Sequence, residues 1–201
     1  MRIAIVGTGN IGGTLGQKWA KAGHAVMFGA RDVTSSKVQA LLATAGGNAS
    51  AGTLGQAIAF GEVLVLATPW SAVPSIVAEH AHALNGKLVV DATNNFGGPV
   101  INNVQTIAAG APGAQVVRAF NSAGWENFAD PHFGAIQADL LYCAPDQARP
   151  VIEQLIADVG MRPMWVGDLD LVQLVDAVGS LWVTLALRRG LGRRLAFKVL
   201  T

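Results

Sequence analysis

Apolar residues fall along this chain in short runs of strand length, and between the runs they recur at helical spacing. The runs predict strands at Arg2–Val6, Ala25–Gly29, Glu62–Ala67, Lys87–Asp91, Gln115–Phe120, Asp139–Cys143 and Arg162–Val166. Ile3-Ala4-Ile5-Val6 and Val63-Leu64-Val65-Leu66 have no polar alternate positions, so both faces of these strands must be covered by helices. The helical stretches are Ile11–Ala22, Ser35–Ala45, Leu54–Phe60, Ser71–His82, Asn103–Ala109, Gln147–Val159 and Leu169–Leu187. Thr53, Ser71 and Asp146 stand where N-caps are wanted. Strand and helix alternate, the order of repeated βαβ units, and the expected class is α/β: a doubly wound, mostly parallel sheet with a small C-terminal helical extension.

Composition bounds this picture. A chain of 201 residues is expected to be a single domain, residues 1–201, with 169–201 as a C-terminal helix and basic tail. Only 13% of residues are charged and 51% are apolar, enough for a large core with apolar surface left over. A homodimer whose interface takes in 169–201 is the expected way to cover it. The net charge is +1 with the cations spread along the chain, so no nucleic-acid partner is expected. Cys143 is the single cysteine, which excludes an internal disulfide and a multi-cysteine metal site and suits a reducing compartment. Met1 to Val6 reads as a strand running into glycines, not as a signal peptide, and the expected location is cytoplasmic. The apolar stretch Ala177–Leu187 has 11 residues, short of the ~20 of a membrane span, so a buried helix and no membrane span are expected. His24, His80, His82 and His132 suggest no metal site.

Chemistry enters with Gly7-Thr8-Gly9-Asn10-Ile11-Gly12, a G-x-G-x-x-G that follows the first strand and opens the first helix. In that position the first glycine allows a tight turn, the second lets a pyrophosphate reach the backbone, and the third lets helix and strand pack; the helix N-terminus holds the phosphate charge. The sheet is therefore expected to be of Rossmann type and to bind a dinucleotide. Arg31 stands at the end of the second strand, where a ribose-binding carboxylate belongs in NAD proteins. A guanidinium there suits the 2′-phosphate of NADP(H), with Ser35, Ser36 and Lys37 adding hydroxyl and ammonium contacts. In the alternative, Arg31 is a solvated loop charge and Asp32 takes the ribose hydroxyls. Thr68-Pro69-Trp70 and Thr93-Asn94-Asn95 end two further strands and should line the cofactor, because ligands of such sheets sit beyond the carboxyl ends of the strands.

Gly-Thr-Gly-Asn-Ile-Gly, Gly-Ala-Arg-Asp, Ala-Thr-Pro-Trp, Asp-Ala-Thr-Asn and Arg-Ala-Phe-Asn-Ser-Ala-Gly-Trp-Glu-Asn-Phe-Ala-Asp-Pro occur here in that order. With them the chain resembles the NADP oxidoreductase family dependent on coenzyme F420, a 5-deazaflavin, and is similar to the N-terminal reductase domains of the STEAP metalloreductases. The resemblance implies NADPH, hydride transfer and a homodimer. Carried over by position, Thr8, Gly9, Asn10 and Ile11 would contact the phosphates, Ala30 and Arg31 the 2′-phosphate, and Thr68, Pro69 and Asn94 the nicotinamide half. Two positions depart from the family: Ala30 stands where serine is frequent, and Asn121 where a histidine faces the deazaflavin ring. The second departure looks more like the STEAP-type version.

Hydride transfer between two ring systems needs orientation more than an acid or base. No lysine occurs between Lys87 and Lys198, which argues against a hydroxy-acid dehydrogenase, and the chain is too short for the helical tail of an imine reductase. Asn121 and His132 are the candidates for the acceptor side, His132 as a titrating imidazole or simply as a loop histidine beside Pro131. Trp125 and Trp182 are read either as walls for an aromatic acceptor or as core, Arg188, Arg189, Arg193 and Arg194 as helix-dipole partners or as contacts for an anionic acceptor tail, and Cys143 as a buried apolar residue. The expected partner is a small-molecule redox acceptor. Coenzyme F420 is the first reading, a flavin, quinone or flavin-mediated ferric ion the second, and a non-catalytic NADPH sensor the third.

Overall fold

The computed structural model describes residues 1–200. Strands β1 (Arg2–Val6), β2 (Ala25–Gly29), β3 (Ala49–Gly52), β4 (Val63–Leu66), β5 (Leu88–Asp91) and β6 (Gln115–Arg118) alternate with helices α1 (Asn10–Lys21), α2 (Ser36–Ala45), α3 (Leu54–Phe60), α4 (Val73–Leu84) and α5 (Val104–Gly110). Then come α6 (Trp125–Ala129), a hairpin of β7 (His132–Phe133) and β8 (Ile136–Gln137), β9 (Asp139–Cys143), α7 (Arg149–Val159), β10 (Arg162–Gly167) and α8 (Val172–Val183). Eight strands form one sheet in the order β10-β9-β6-β5-β4-β1-β2-β3. Every seam is parallel except that of β6 with β9, a single antiparallel bridge from Arg118 to Cys143. The expected doubly wound α/β architecture is what the chain adopts.

The apolar runs are continuous because each face of the sheet has its own core. Ile3, Ile5, Val63 and Val65 join Leu15, Trp19 and Phe28 on one face, while Ala4, Val6, Leu64 and Leu66 meet Ile58, Ile76 and Val77 on the other. Register keeps the layers aligned, with Ile5 beside Phe28 and Val65.

Several boundaries differ from those the pattern predicts. Gln115–Phe120 stops as a strand at Arg118, and Phe120 turns to a φ of 59°, a left-handed conformation that costs a non-glycine residue ~1–3 kcal/mol. Its ring offsets that cost in the core, edge-on to Trp19 and Phe128 at 5.5 and 5.7 Å. Thr53 caps α3 as expected, in a reciprocal pair with Gln56, whereas Ser71 and Asp146 lie inside one-turn 3-10 segments, Trp70–Ala72 and Asp146–Ala148, that lead into α4 and α7. β3 was not expected: Ala49-Ser50-Ala51-Gly52 has no bulky side chain, and it pairs only with β2 at the edge. The short α6 and the β7–β8 hairpin were also not expected.

The last helix runs further than its uncharged stretch implies. A 3-10 turn (Leu169–Leu171), α8 and a π-helical turn (Thr184–Arg188) make one run of 20 residues, Leu169–Arg188, whose mean hydropathy of 1.5 makes it long and apolar enough to cross a membrane, with 28% of that window buried. The helix itself agrees within a residue with the expected Leu169–Leu187, but counting the apolar stretch only from Ala177 understated it, because Asp176 does not interrupt the helix, and, against expectation, most of the window is not buried. Its carboxylate is bound by buried Arg118, which ties α8 to the sheet. The following tail folds back: Arg193 pairs with Glu126, Arg194 with Asp130, and Phe197 bridges Asp139.

Candidate functional site

At the carboxyl end of β1 the three glycines differ in what they permit. Gly7 has a φ of 118°, and a Cβ there would stand 2.3 Å from the Ala67 carbonyl oxygen; a Cβ on Gly12 would stand 2.2 Å from that of Gly7. Both are required by the close packing of loop, helix and β4. Gly9 is extended, with φ −75° and ψ −173°, and a Cβ there would meet no protein atom within 4 Å. The space over Gly9 is open toward the crevice. α1 begins at this point without a side-chain cap and without an acidic residue in its first turn, so its leading N–H groups are left for an anion.

A crevice of about 520 Å³ opens beside the loop. Gly7, Thr8 and Gly9 form one wall, Ala30, Arg31 and Lys37 another, and Thr68 and Pro69 a third, with Leu54, Ala72 and Ile76 as apolar lining. Asp32 does not line it. Its Oδ1 accepts the Thr34 hydroxyl and N–H at 2.7 and 2.9 Å, and the Thr34 hydroxyl is the main cause holding the Asp32 carboxyl below its usual pKa. Arg31 and Lys37 are thus the charges that face the crevice at the end of β2, and the arrangement fits a 2′-phosphate better than a bare ribose.

Not every expected residue joins this crevice. Ser35 sits at the start of α2 with its hydroxyl donating to the Asp32 carbonyl at 3.0 Å. Ile11 packs on the core, Gly12 lies beneath the loop, and Asn10 looks into a second cavity of about 320 Å³ across α1. Asn94 is half-buried at the end of β5, its Oδ1 accepting from Arg118 at 2.8 Å and its Nδ2 donating to the Asn121 carbonyl at 3.0 Å. Asn121 was expected to face the acceptor, but its side chain is turned under α8: the residue is 3% exposed, Nδ2 comes no nearer than 3.4 Å to Asp176, and Oδ1 has no partner. His132 lines neither the crevice nor the second cavity. It lies on the β7–β8 hairpin, where Gln137 bonds the Gly160 carbonyl, and nearby Asp158 pairs with His24 at the amino end of β2, opposite the glycine loop.

Sequence reasoning missed the group that organises this region. Arg118, fully buried, reaches Asp91, Thr93, Asn94 and Asp176. The signal was a charge at each of two apolar places, the end of β6 and the middle of α8, which must pair to be buried. The tail arginines Arg193 and Arg194 are neutralised by Glu126 and Asp130 and do not reach toward a ligand. Trp182 is core, with its indole N–H bonded to the Leu195 carbonyl. Cys143 is buried, and burial foremost, then nearby carboxylates, push its thiol up to about 11, in keeping with a buried apolar residue.

Residues 2–95, β1 through the loop after β5, match the family described as NADP oxidoreductase, coenzyme F420-dependent. That match spans a little under half of the chain. Solved structures share the fold beyond that half. A protein from Arthrobacter sp. FB24, whose assignment as an F420-dependent NADP reductase is provisional, superposes with a TM-score of 0.87 over 100% of both chains at 24% identity. The hypothetical protein SMa0349 from Sinorhizobium meliloti does so with a TM-score of 0.73 over 85% of this chain and 86% of its own, at 25% identity. An imine reductase from Aspergillus terreus, solved with NADPH4 and dibenz[c,e]azepine, gives 0.67 at 22% identity, and its match covers 94% of this chain but 60% of the reductase. The chain thus spans about 60% of that reductase's length.

Proposed function

We propose that the protein transfers hydride between NADPH and a planar redox acceptor, with coenzyme F420 as the first reading. The observation that carries the cofactor half is the pairing of the open cradle over Gly9 with Arg31 and Lys37 at the crevice wall. NADPH supplies the hydride chemistry when bound. The protein's part is to hold the pyrophosphate on the α1 N–H groups, the 2′-phosphate on Arg31 and Lys37, and the nicotinamide half against Thr68, Pro69 and Asn94. The crevice lining holds no histidine, cysteine, tyrosine or carboxylate, and Asn121 is turned inward, which suits a reaction governed by orientation.

Trp125 marks a separate ligand wall, in the cavity between α1 and α2 and not beside Thr68 and Pro69. Trp19, Trp70, Trp165 and Trp182 each donate the indole N–H to a backbone carbonyl. Trp125 alone has no such partner among the described residues, and it lines the second cavity with Thr8, Gly9 and Asn10. A half-buried indole with a free donor offers a ring to stack on and a hydrogen bond to give. The family that residues 2–95 match favours a deazaflavin as acceptor; the second reading is a flavin, quinone or flavin-mediated ferric ion, and the third an NADPH sensor that transfers nothing.

The assembly we propose is a homodimer, acting in the cytoplasm on a small-molecule acceptor. Leu174, Leu181 and Leu187 of the last helix are 49, 48 and 50% exposed, and a second copy would cover them. The decisive experiment mixes the purified protein with NADPH and, in turn, oxidised F420, FMN, a quinone and ferric chelate, following absorbance at 340 nm. Oxidation with F420 alone supports the first reading. Oxidation only with the others replaces it, and binding of NADPH without any oxidation leaves the sensor.

A further inference from the structure

The carboxyl ends of β4, β5 and β6 are joined by a buried network with Arg118 at its centre. Its Nε and Nη2 donate to Asp176 Oδ1 of α8 at 2.9 and 2.7 Å. Nη1 donates to the carbonyls of Asp91 and Thr93 at 3.1 and 2.5 Å, and Nη2 also reaches Asn94 Oδ1 at 2.8 Å. The carboxylates are themselves fully engaged. Asp176 Oδ2 accepts from Asn102 Nδ2 at 2.6 Å, and Asp91 takes Thr93 on one oxygen and the Asn103 N–H on the other. Asn102 and Asn103 in turn bond Trp70, which follows β4.

This network decides which way one amide faces. A guanidinium has donors only, so the Asn94 carbonyl must point to Arg118 and its NH2 away from it. One of those two hydrogens goes to the Asn121 carbonyl, which leaves the other free at the end of β5. Arg118 can serve this purpose only while Asp176 holds it. Without that carboxylate the guanidinium is left with the partial charge of two carbonyls and with Asp91, whose Oδ2 lies 3.4 Å away.

We infer that Arg118 and Asp176 are positioning residues for the nicotinamide half of the cofactor: α8, through Asp176 and then Arg118, fixes Asn94 as a hydrogen-bond donor to that half, though neither charged residue touches it. The inference rests on the NADP reading of the crevice and assigns a role to a helix that contributes nothing to the crevice wall. It also implies that the adenosine half, held by Arg31 and Lys37 on the far side of β1, should be indifferent to the network.

That indifference makes the test. NADPH and adenosine 2′,5′-bisphosphate, which lacks the nicotinamide half, are titrated by calorimetry into wild type, Asp176→Asn, Asn94→Ala and the double variant. Asp176→Asn is near-isosteric and is expected to weaken NADPH about tenfold, the scale of one hydrogen bond together with lost orientation, with the bisphosphate unchanged within about twofold. In the Asn94→Ala background it should add nothing, because the effect passes through that amide. Equal loss of both ligands would show a merely structural role and overturn the inference, as would unchanged NADPH affinity or full additivity with Asn94→Ala. Should Asp176→Asn not fold, Arg118→Lys takes its place, since an ammonium has three N–H donors for the four groups the guanidinium holds, Asp176, Asn94 and the carbonyls of Asp91 and Thr93, and lacks its planar fork; it must show the same selective loss, and an unselective or absent effect overturns the inference. If wild type itself binds neither ligand, the NADP reading fails, and that result is distinct from all of these.

Discussion

Gly9 and Gly12 are three residues apart and serve opposite masters. A methyl at Gly12 has nowhere to go, with the Gly7 carbonyl oxygen at 2.2 Å, so Gly12→Ala should destabilise the fold by ~1–3 kcal/mol, the range for forced overpacking. Gly9→Val meets no protein atom within 4 Å of its Cβ and should leave the melting temperature nearly unchanged while blocking NADPH and NADH alike. Calorimetric melting and nucleotide titration of both variants check the pair; a Gly9 variant that binds normally would remove the pyrophosphate from this loop. Arg31 carries the choice between nucleotides. Arg31→Ala should weaken NADPH by ~1.5–3 kcal/mol, the worth of hydrogen bonds to a charged group, and leave NADH unchanged. Equal loss for the two would return Asp32 to consideration. The placement of the glycines and Arg31 was legible in the sequence because it depends on local spacing, whereas that of Asn121 and His132 was not. Where those two side chains point is set by a left-handed turn at Phe120 and by a hairpin with no hydrophobic pattern, and neither leaves a periodic mark.

At the scale of elements, a two-faced strand announces itself by an unbroken apolar run, and β1, β4 and β5 were read within a residue of their ends for that reason. β3 lies at the sheet edge and is built from small residues, so its place comes from pairing with β2 and not from burial. The tail was legible only as a basic stretch. In the fold it is a latch whose catch is Asp139, a carboxylate with no side-chain exposure that takes two bonds from Arg162 at 2.7 Å, one from Lys198 at 3.0 Å and one from the Val199 N–H at 2.7 Å. Burial alone would raise this carboxyl, but Arg162, Val199 and Lys198 outweigh it and hold the pKa down at about 2. A depressed folded value means stability that is complete above the unfolded carboxyl value of ~3.9 and is lost as pH falls toward 2. Asp139→Asn should therefore flatten the acid limb of stability between about pH 4 and 2, and hydrogen exchange at 196–199 should rise in the variant at neutral pH. An unchanged acid limb would mean that the tail is held by its other contacts.

For the whole molecule the open question is what covers the last helix. One side is committed to the sheet: Val175, Asp176, Gly179 and Trp182 are buried, and a Cβ on Gly179 would press within 3.1 Å of the Asn121 carbonyl. The other side presents Leu174 and Leu181, seven residues apart and so on one stripe, with Leu187 beyond them. By length and hydropathy the same 20 residues are suited to lipid. A lipid-spanning helix, however, would have to pull Asp176 away from Arg118 and leave a buried charge unpaired, a loss of ~3–5 kcal/mol. A second copy covers the leucines and leaves the ion pair in place. Sedimentation should accordingly find a dimer at micromolar protein, and Leu181→Asp, at a position already half exposed in the single chain, should give a folded monomer with its melting transition retained. Because the contacts from Asp176 through Arg118 to Asn94 are complete within one chain, the monomer should bind NADPH and adenosine 2′,5′-bisphosphate as the dimer does. A wild type that sediments as a monomer and partitions onto neutral lipid vesicles would instead assign the leucine face to a membrane.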